Sequence, residues 1–444
     1  MITNAVIAQS GGPSPVINSS LLGVVDGARD YPDRVGRIFG AWHGLEGILR
    51  EELLDLTAQP DRELRLLRST AGAGAIGTCR YKLDDKSDDD LLRIMAVFQA
   101  HDVGSLYYIG GNDSMETAAR IASFARARSF ELVVTGIPKT IDNDLGDQEL
   151  RLIDHTPGFG SAARYWASII QDIDEENRGM STAECVTVLQ AMGRNAGFIP
   201  AAARLGDPER RMPLQIYCAE SSHSLDSLAE NVNRCLVDRG RCVVVVSEGF
   251  DVGGVGEIRD AFGHVDYGAG RSTVAQAVVN HLNAVGLRAR GYVTGQVPGV
   301  LQRSTAIYAS MVDVEEAYQV GRSAVEIATP RAEAAGGEAR HGEAWMATIL
   351  RAEGSAERGY RARYDKVSLA EISGRTRRLP PEWITPDGVD VTDDFVRYAR
   401  PLLGEGWPSI SMEHGLQRFA RLEPRFREKK LPAYQPMRHR APAG

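Results

Sequence analysis

The chain has 444 residues, a formal net charge of −8, 43% hydrophobic and 25% charged residues, which excludes a disordered chain and gives length enough for two or three domains. The acidic balance disfavours nucleic acid as a partner, and apolar runs as short as 242–246 predict no membrane-spanning segment. Five cysteines (Cys79, Cys185, Cys218, Cys235 and Cys242) lack C-x-x-C spacing, which argues against a disulfide framework or zinc site and for a reducing, cytoplasmic setting.

Residues 1–9 lack a basic segment followed by a long apolar run, so they read as a strand rather than a signal peptide. Strand patterns recur at 5–9, 103–109, 132–137, 185–189, 214–218, 242–246 and 290–297. Helical patterns lie at 16–28, 115–128, 161–172, 225–237, 274–285 and 312–328. This alternation predicts parallel-rich sheets covered by helices. Past about residue 330 the texture changes. Segment 332–340 is rich in Ala, Glu and Gly and reads as a linker or exposed loop. Segment 418–444 is a basic, proline-containing tail, expected to be solvated or packed on a partner subunit. There is no repeat of fixed period.

Ligands of such sheets bind at the carboxyl ends of the strands, so the following loops carry the information. After the first strand, Ser10-Gly11-Gly12-Pro13 leads into a helix, a turn at which backbone and helix N-terminus can meet an anion; a tight turn without a ligand explains it equally. Gly110-Gly111-Asn112-Asp113-Ser114 adds a carboxylate, read either as helix capping or as a metal–phosphate site. Pro138-Lys139-Thr140-Ile141-Asp142-Asn143-Asp144 is the most informative segment. Lys139, one of only six lysines, stands beside two carboxylates spaced i, i+2. Phosphoryl transfer needs a cation for phosphate, a base for the acceptor hydroxyl and a carboxylate near the metal. An Asx turn is the structural alternative.

Segment 72–77 matches G-x-G-x-x-G, but polar residues precede it and no helical pattern follows, so it is no dinucleotide fingerprint. It reads as a glycine loop that delivers Arg80 and Lys82 to phosphate. No Gly-Lys dipeptide, H-R-D or D-F-G occurs, so neither standard nucleotide route is supported. Arg194, Glu248 and Arg303 each follow a strand and together suit a phosphorylated sugar, arginine for phosphate and glutamate for hydroxyls. No H-E-x-x-H or G-x-S-x-G pattern is present.

In order, and over roughly residues 1–330, these loops resemble the phosphofructokinase family. The matching segments are Gly11-Gly12, 72–80, 110–114, 138–144, Met192-Gly193-Arg194, Glu248 and Gln302-Arg303. The resemblance implies a two-lobed, three-layer α/β/α fold. Residues 1–154 with about 300–330 form the diphosphate and Mg²⁺ lobe, 155–299 the sugar-phosphate lobe and 331–444 a C-terminal extension. It implies that Asp142 is the base for the sugar 1-hydroxyl, with Thr140 and Asp144 beside the metal and the transferring group. Gly11, Gly12, Arg80, Lys82, Asn112 and Ser114 then contact the phosphoryl donor, and Thr140, Ile141, Asp142, Met192, Gly193, Arg194, Glu248 and Arg303 line the fructose 6-phosphate pocket.

ATP-using members carry glycine at the positions of Asp113 and Lys139, and diphosphate-using members carry Asp and Lys. The physics agrees: Asp113 would repel a nucleotide α-phosphate, and Lys139 supplies charge to a leaving phosphate that bears no nucleoside. Asn112 stands where many relatives have an aspartate tied to Mg²⁺, which shifts the metal role toward Asp113, with Asn112 and Asp144 as further candidates. The implied enzyme is a diphosphate-dependent, cytoplasmic homodimer or homotetramer with no nucleic-acid or membrane partner. Its rivals are an ATP-dependent enzyme of the same fold and a catalytically idle regulatory subunit.

Overall fold

In a computed structural model, residues 2–253, 272–329, 344–352, 354 and 359–440 are described; the 332–340 stretch, read as a linker, lies outside them. The strands are Thr3–Gln9 (β1), Val35–Ala41 (β2), Leu53–Asp55 (β3), Val103–Gly110 (β4), Val133–Pro138 (β5), Val186–Ala191 (β6), Leu214–Tyr217 (β7), Cys242–Ser247 (β8), Val293–Gln296 (β9), Ala344–Arg351 (β10) and Ala362–Ser368 (β11). Seven of them form one sheet in the order β11-β10-β5-β4-β1-β2-β3, and four form another in the order β7-β8-β6-β9. The first is parallel through its centre and antiparallel only at its outer pairs, β10 with β11 and β2 with β3. The second is parallel throughout.

Side-chain alternation explains the layering. In β1, Ala5 and Ile7 pack with the helices Ile17–Arg29 and Met311–Ala328. Val6 and Ala8 face the helices Asp89–Ala100 and Asn112–Ala127 on the other side. Both faces of a parallel strand are thereby buried, which is why its sequence is a continuous apolar run. The second sheet repeats the arrangement. Leu189, Val243 and Val245 pack on the helix Phe159–Met180, and Val186, Val188 and Val244 on Leu225–Arg239 and Val274–Val285. All seven expected strands and all six expected helices are present, within a few residues at most ends and eight at the C-terminus of Phe159–Met180. Not anticipated were β2, whose exposed Gly36 and Arg37 interrupt the apolar pattern, and the helix Asp89–Ala100, which begins in an acidic run.

The chain after residue 343 is integral to both sheets' cores. β10 pairs with β5 at Ala344↔Val134 and Met346↔Gly136, and Leu379, Val391 and Phe395 pack beside Trp166 in the second core. The basic tail, expected to be solvated or on a partner, instead runs back over the first sheet's lobe of its own chain through residue 440. Arg418 pairs with Glu63, the Lys430 and Leu431 amides donate to Glu51, and the Tyr434 hydroxyl donates to Asp90 at 2.8 Å. The sequence reading missed this because the tail's partners, Glu51, Glu63 and Asp90, lie more than 300 residues away. None of the five cysteines is in a disulfide. Among the described residues no helix is long and apolar enough to cross a membrane.

Candidate active site

The carboxyl ends of β1, β4, β5, β6, β8 and β9 converge on one cleft between the two sheets. From other loops of the first sheet's lobe it is lined by Gly11, Gly12, Arg80, Asn112, Asp113 and Ser114, and from the loop after β5 by Lys139, Thr140, Ile141, Asp142 and Asp144. Met192, Arg194, Glu248 and Arg303 close the opposite side. Two anticipated residues are not among the lining: Lys82, and Gly193, whose amide instead supports Glu248.

Lys139 is buried, and its Nζ donates to the carbonyls of Ser10 (2.9 Å) and Gly12 (2.5 Å). Burial and the like charges of Arg303, Arg194 and Arg80 push its pKa down to about 7, against the opposing pull of Asp142. Gly11 has φ +78°, the left-handed region that favours glycine. A Cβ on Gly12 would stand 2.3 Å from Arg303 Nη1, so glycine is what admits that guanidinium. Arg303, expected in the sugar pocket, thus also reaches the donor loop.

At the start of the helix Asn112–Ala127 the cap position falls on Gly111, so none of Asn112, Asp113 and Ser114 is the cap. The helix N-terminus is left to face the cleft, a favourable place for an anion. Asn112 Oδ1 is buried without a hydrogen-bond partner. The Asp142 amide donates to Thr140 Oγ1 at 3.1 Å, and its carboxylate lies 3.7 Å from Arg194 Nε. Asn143, between the two carboxylates, has φ +57°. Burial and the neighbouring Asp142 charge raise the Asp144 pKa.

On the second sheet's side of the cleft, the Gly193 and Arg194 amides donate to Glu248 Oε1 at 3.1 and 2.9 Å. That turn requires φ +130° at Gly193 and +51° at Arg194. Burial, followed by Asp142, pushes the Glu248 pKa up to about 7 despite the two amides. Gln302 Oε1 accepts from Trp166 Nε1 (2.8 Å) and from the Met192 amide (3.0 Å), which sets where Met192 stands. Beside the main cleft, a second one shares Asp113, Asp144 and Arg194 with it and is closed by Thr376, Arg377 and Arg378. Nothing in the local pattern of 375–386 pointed there, because the approach depends on tertiary packing across more than 200 residues.

The phosphofructokinase profile matches residues 4–328. The chain belongs to the phosphofructokinase family. Within it, this chain is 36% identical over 416 residues to the pyrophosphate–fructose 6-phosphate 1-phosphotransferase of Methylococcus capsulatus, covering 91% of this chain and 93% of that one. It is 34% identical over 451 residues to the enzyme of the same name from Halomonas elongata, covering 97% and 99%. Its fold is similar to that of a pyrophosphate-dependent phosphofructokinase from Marinobacter aquaeolei, with TM-score 0.82, 34% identity and coverage of 98% of this chain and 100% of that one. These matches run through the C-terminal extension, beyond the span of the family profile.

Proposed function

We propose that this chain reversibly transfers a phosphoryl group from inorganic diphosphate to the 1-hydroxyl of D-fructose 6-phosphate, giving fructose 1,6-bisphosphate and phosphate. The observation that carries the reading is the buried Lys139, set among Arg80, Arg194 and Arg303 with its pKa near 7. A lysine held so close to neutrality by burial and by like charges is stabilised by a compact polyanion, and inorganic diphosphate is one. Asp113, lining the same cleft, opposes the additional α-phosphate of a nucleotide.

The sugar 1-oxygen attacks the terminal phosphorus of diphosphate, the bond to the bridging oxygen breaks, and phosphate leaves beside Lys139. Asp142 takes the hydroxyl proton, and Arg194, 3.7 Å from it, lines the sugar pocket at the 1-hydroxyl end, where its charge meets the phosphoryl group in transfer. Glu248, fixed by two amides, accepts from sugar hydroxyls. Arg80, Arg303, Gly12 and the helix N-terminus at Asn112 hold the donor.

The residues present fit a magnesium ion that arrives on diphosphate. Asp113 and Asp144 line the cleft, and the unpartnered Asn112 Oδ1 is an available oxygen. Among the described residues no group of three His, Cys, Asp or Glu forms a protein-only cage, which suits a cation that takes one or two carboxylates and completes its shell with phosphate and water. When bound, magnesium neutralises charge on the phosphate oxygens.

Exposed Val297, Val300, Leu301 and Ile307 beside the cleft suit burial against a second copy, in a homodimer or homotetramer, and unpaired cysteines suit a cytoplasmic setting. The test is the purified chain with fructose 6-phosphate and each donor in turn. Turnover with diphosphate, and its reversal with fructose 1,6-bisphosphate and phosphate, is expected. Turnover with ATP alone, or with neither donor, would overturn the proposal in favour of an ATP-dependent enzyme or an idle subunit.

A further inference from the structure

Outside the span matched by the family profile, Arg377 lies fully buried against the loop that carries both active-site aspartates. Its guanidinium donates from Nε to the Asn143 carbonyl, from Nη2 to Asn143 Oδ1 and from Nη1 to the Ile153 carbonyl, each at 2.6 Å. Its own amide donates to the Asp144 carbonyl at 2.8 Å. The neighbouring residue pairs with the same loop through a Leu145↔Thr376 bridge. Asn143 is thereby held at every polar atom of its side chain. Nδ2 donates to the Tyr398 hydroxyl at 3.0 Å, and Oδ1 accepts from Arg377 and from the Thr156 amide.

We infer that Arg377 is a positioning residue for phosphoryl transfer, clamping the left-handed turn at Asn143 that sets Asp142 relative to Asp144. This rests on the reading of Asp142 as the base. A buried guanidinium whose side-chain hydrogen bonds go to carbonyls is an expensive anchor, because it leaves water without a bonded carboxylate to compensate. What the arginine adds is specific to this loop. Its planar fork reaches two oxygens of Asn143 at once. Its charge sits behind a strand end that brings two carboxylates together, with Asp144, Asp147 and Asp154 in its field. The clamp is made by the extension rather than by the lobe that carries the aspartates, so residues beyond 328 take part in the chemistry without touching substrate.

The two contributions separate by substitution. Arg377→Lys keeps the charge and loses the fork, while Arg377→Met keeps most of the volume and loses both. With the base displaced, kcat falls on the order of 10²-fold in Arg377→Met, with KM for both substrates within about threefold of wild type. Added guanidinium at millimolar concentration partly restores turnover to Arg377→Ala. Diphosphate binding by calorimetry reports folding independently of turnover. Wild-type kcat in Arg377→Met, or a loss carried by KM rather than kcat, overturns the inference. If Arg377→Met does not fold, Arg377→Lys decides, and wild-type kcat there overturns it. Each variant is read against wild type in the same assay, so a wild type that uses only ATP overturns the donor reading while the Arg377 comparison, run with ATP, still decides.

Discussion

At Lys139 a single side chain joins donor choice to proton balance. Its pKa stands near 7 because burial and three arginines disfavour its charge. A bound diphosphate supplies the missing negative charge, so the lysine pKa rises on binding. Above pH 7 binding is therefore accompanied by proton uptake at Lys139, and this residue's contribution to affinity weakens as pH rises. Calorimetry of diphosphate binding at pH 8, in buffers of different ionisation enthalpy, should show more proton uptake in wild type than in Lys139→Met. Equal uptake would exclude Lys139 as the titrating group. At Asp142 the expectation is catalytic. Asp142→Asn keeps the shape and cannot take the proton, which costs about 10²–10⁴-fold in kcat with little change in sugar KM. Near wild-type turnover would remove Asp142 from that role. Both residues were legible in sequence because they lie within four positions of each other at one strand end. Arg377 was not, because its value comes from contacts with Asn143 across 234 positions.

Among the elements, the helices Ile17–Arg29 and Met311–Ala328 pack at near backbone contact on one face of the first sheet. A Cβ on Gly321 would stand 2.3 Å from the Ser20 carbonyl oxygen, and one on Gly23 would stand 2.0 Å from that of Tyr318. Two effects compete in Gly321→Ala. Helix propensity favours alanine by about 1 kcal/mol, whereas overpacking typically costs about 1–3 kcal/mol. The obstacle is backbone, which cannot rotate away, so the clash wins. Gly321→Ala should unfold at lower denaturant concentration than wild type, and a higher midpoint would show that the helices separate easily. This packing was not readable from either helix alone, since each glycine looks like a weak point in its own pattern. The central strands were readable for the opposite reason: burial on both faces writes the same apolar run at every position. β11 carries no such run, since partial exposure mixes polar residues into Ala362–Ser368, and β3 is only three residues long.

For the whole molecule, parallel-rich sheets covered by helices followed from alternation, and their division into two lobes from the family resemblance, but the role of the last hundred residues did not. They supply β10 beside β5, part of each core and the clamp on the Asp142 loop. A chain ending at 343 would lose Leu369 and Ile372 from the first core, and Leu379, Val391, Phe395 and Leu402 from the second, all of them fully buried. At roughly 1.5–3 kcal/mol for each buried side chain, the loss is on the order of 10 kcal/mol, comparable with the whole stability of an ordinary domain, about 5–15 kcal/mol. It would also expose the edge of β5, whose backbone groups then invite pairing with other chains. Expressed alone, residues 1–343 should therefore be absent from the soluble fraction or recovered as aggregate, although they contain the entire span of the family profile and every aspartate and arginine expected to touch substrate. A soluble, cooperatively unfolding 1–343 chain would show that the first 343 residues close their own cores, and that the extension is an addition to the fold rather than part of it.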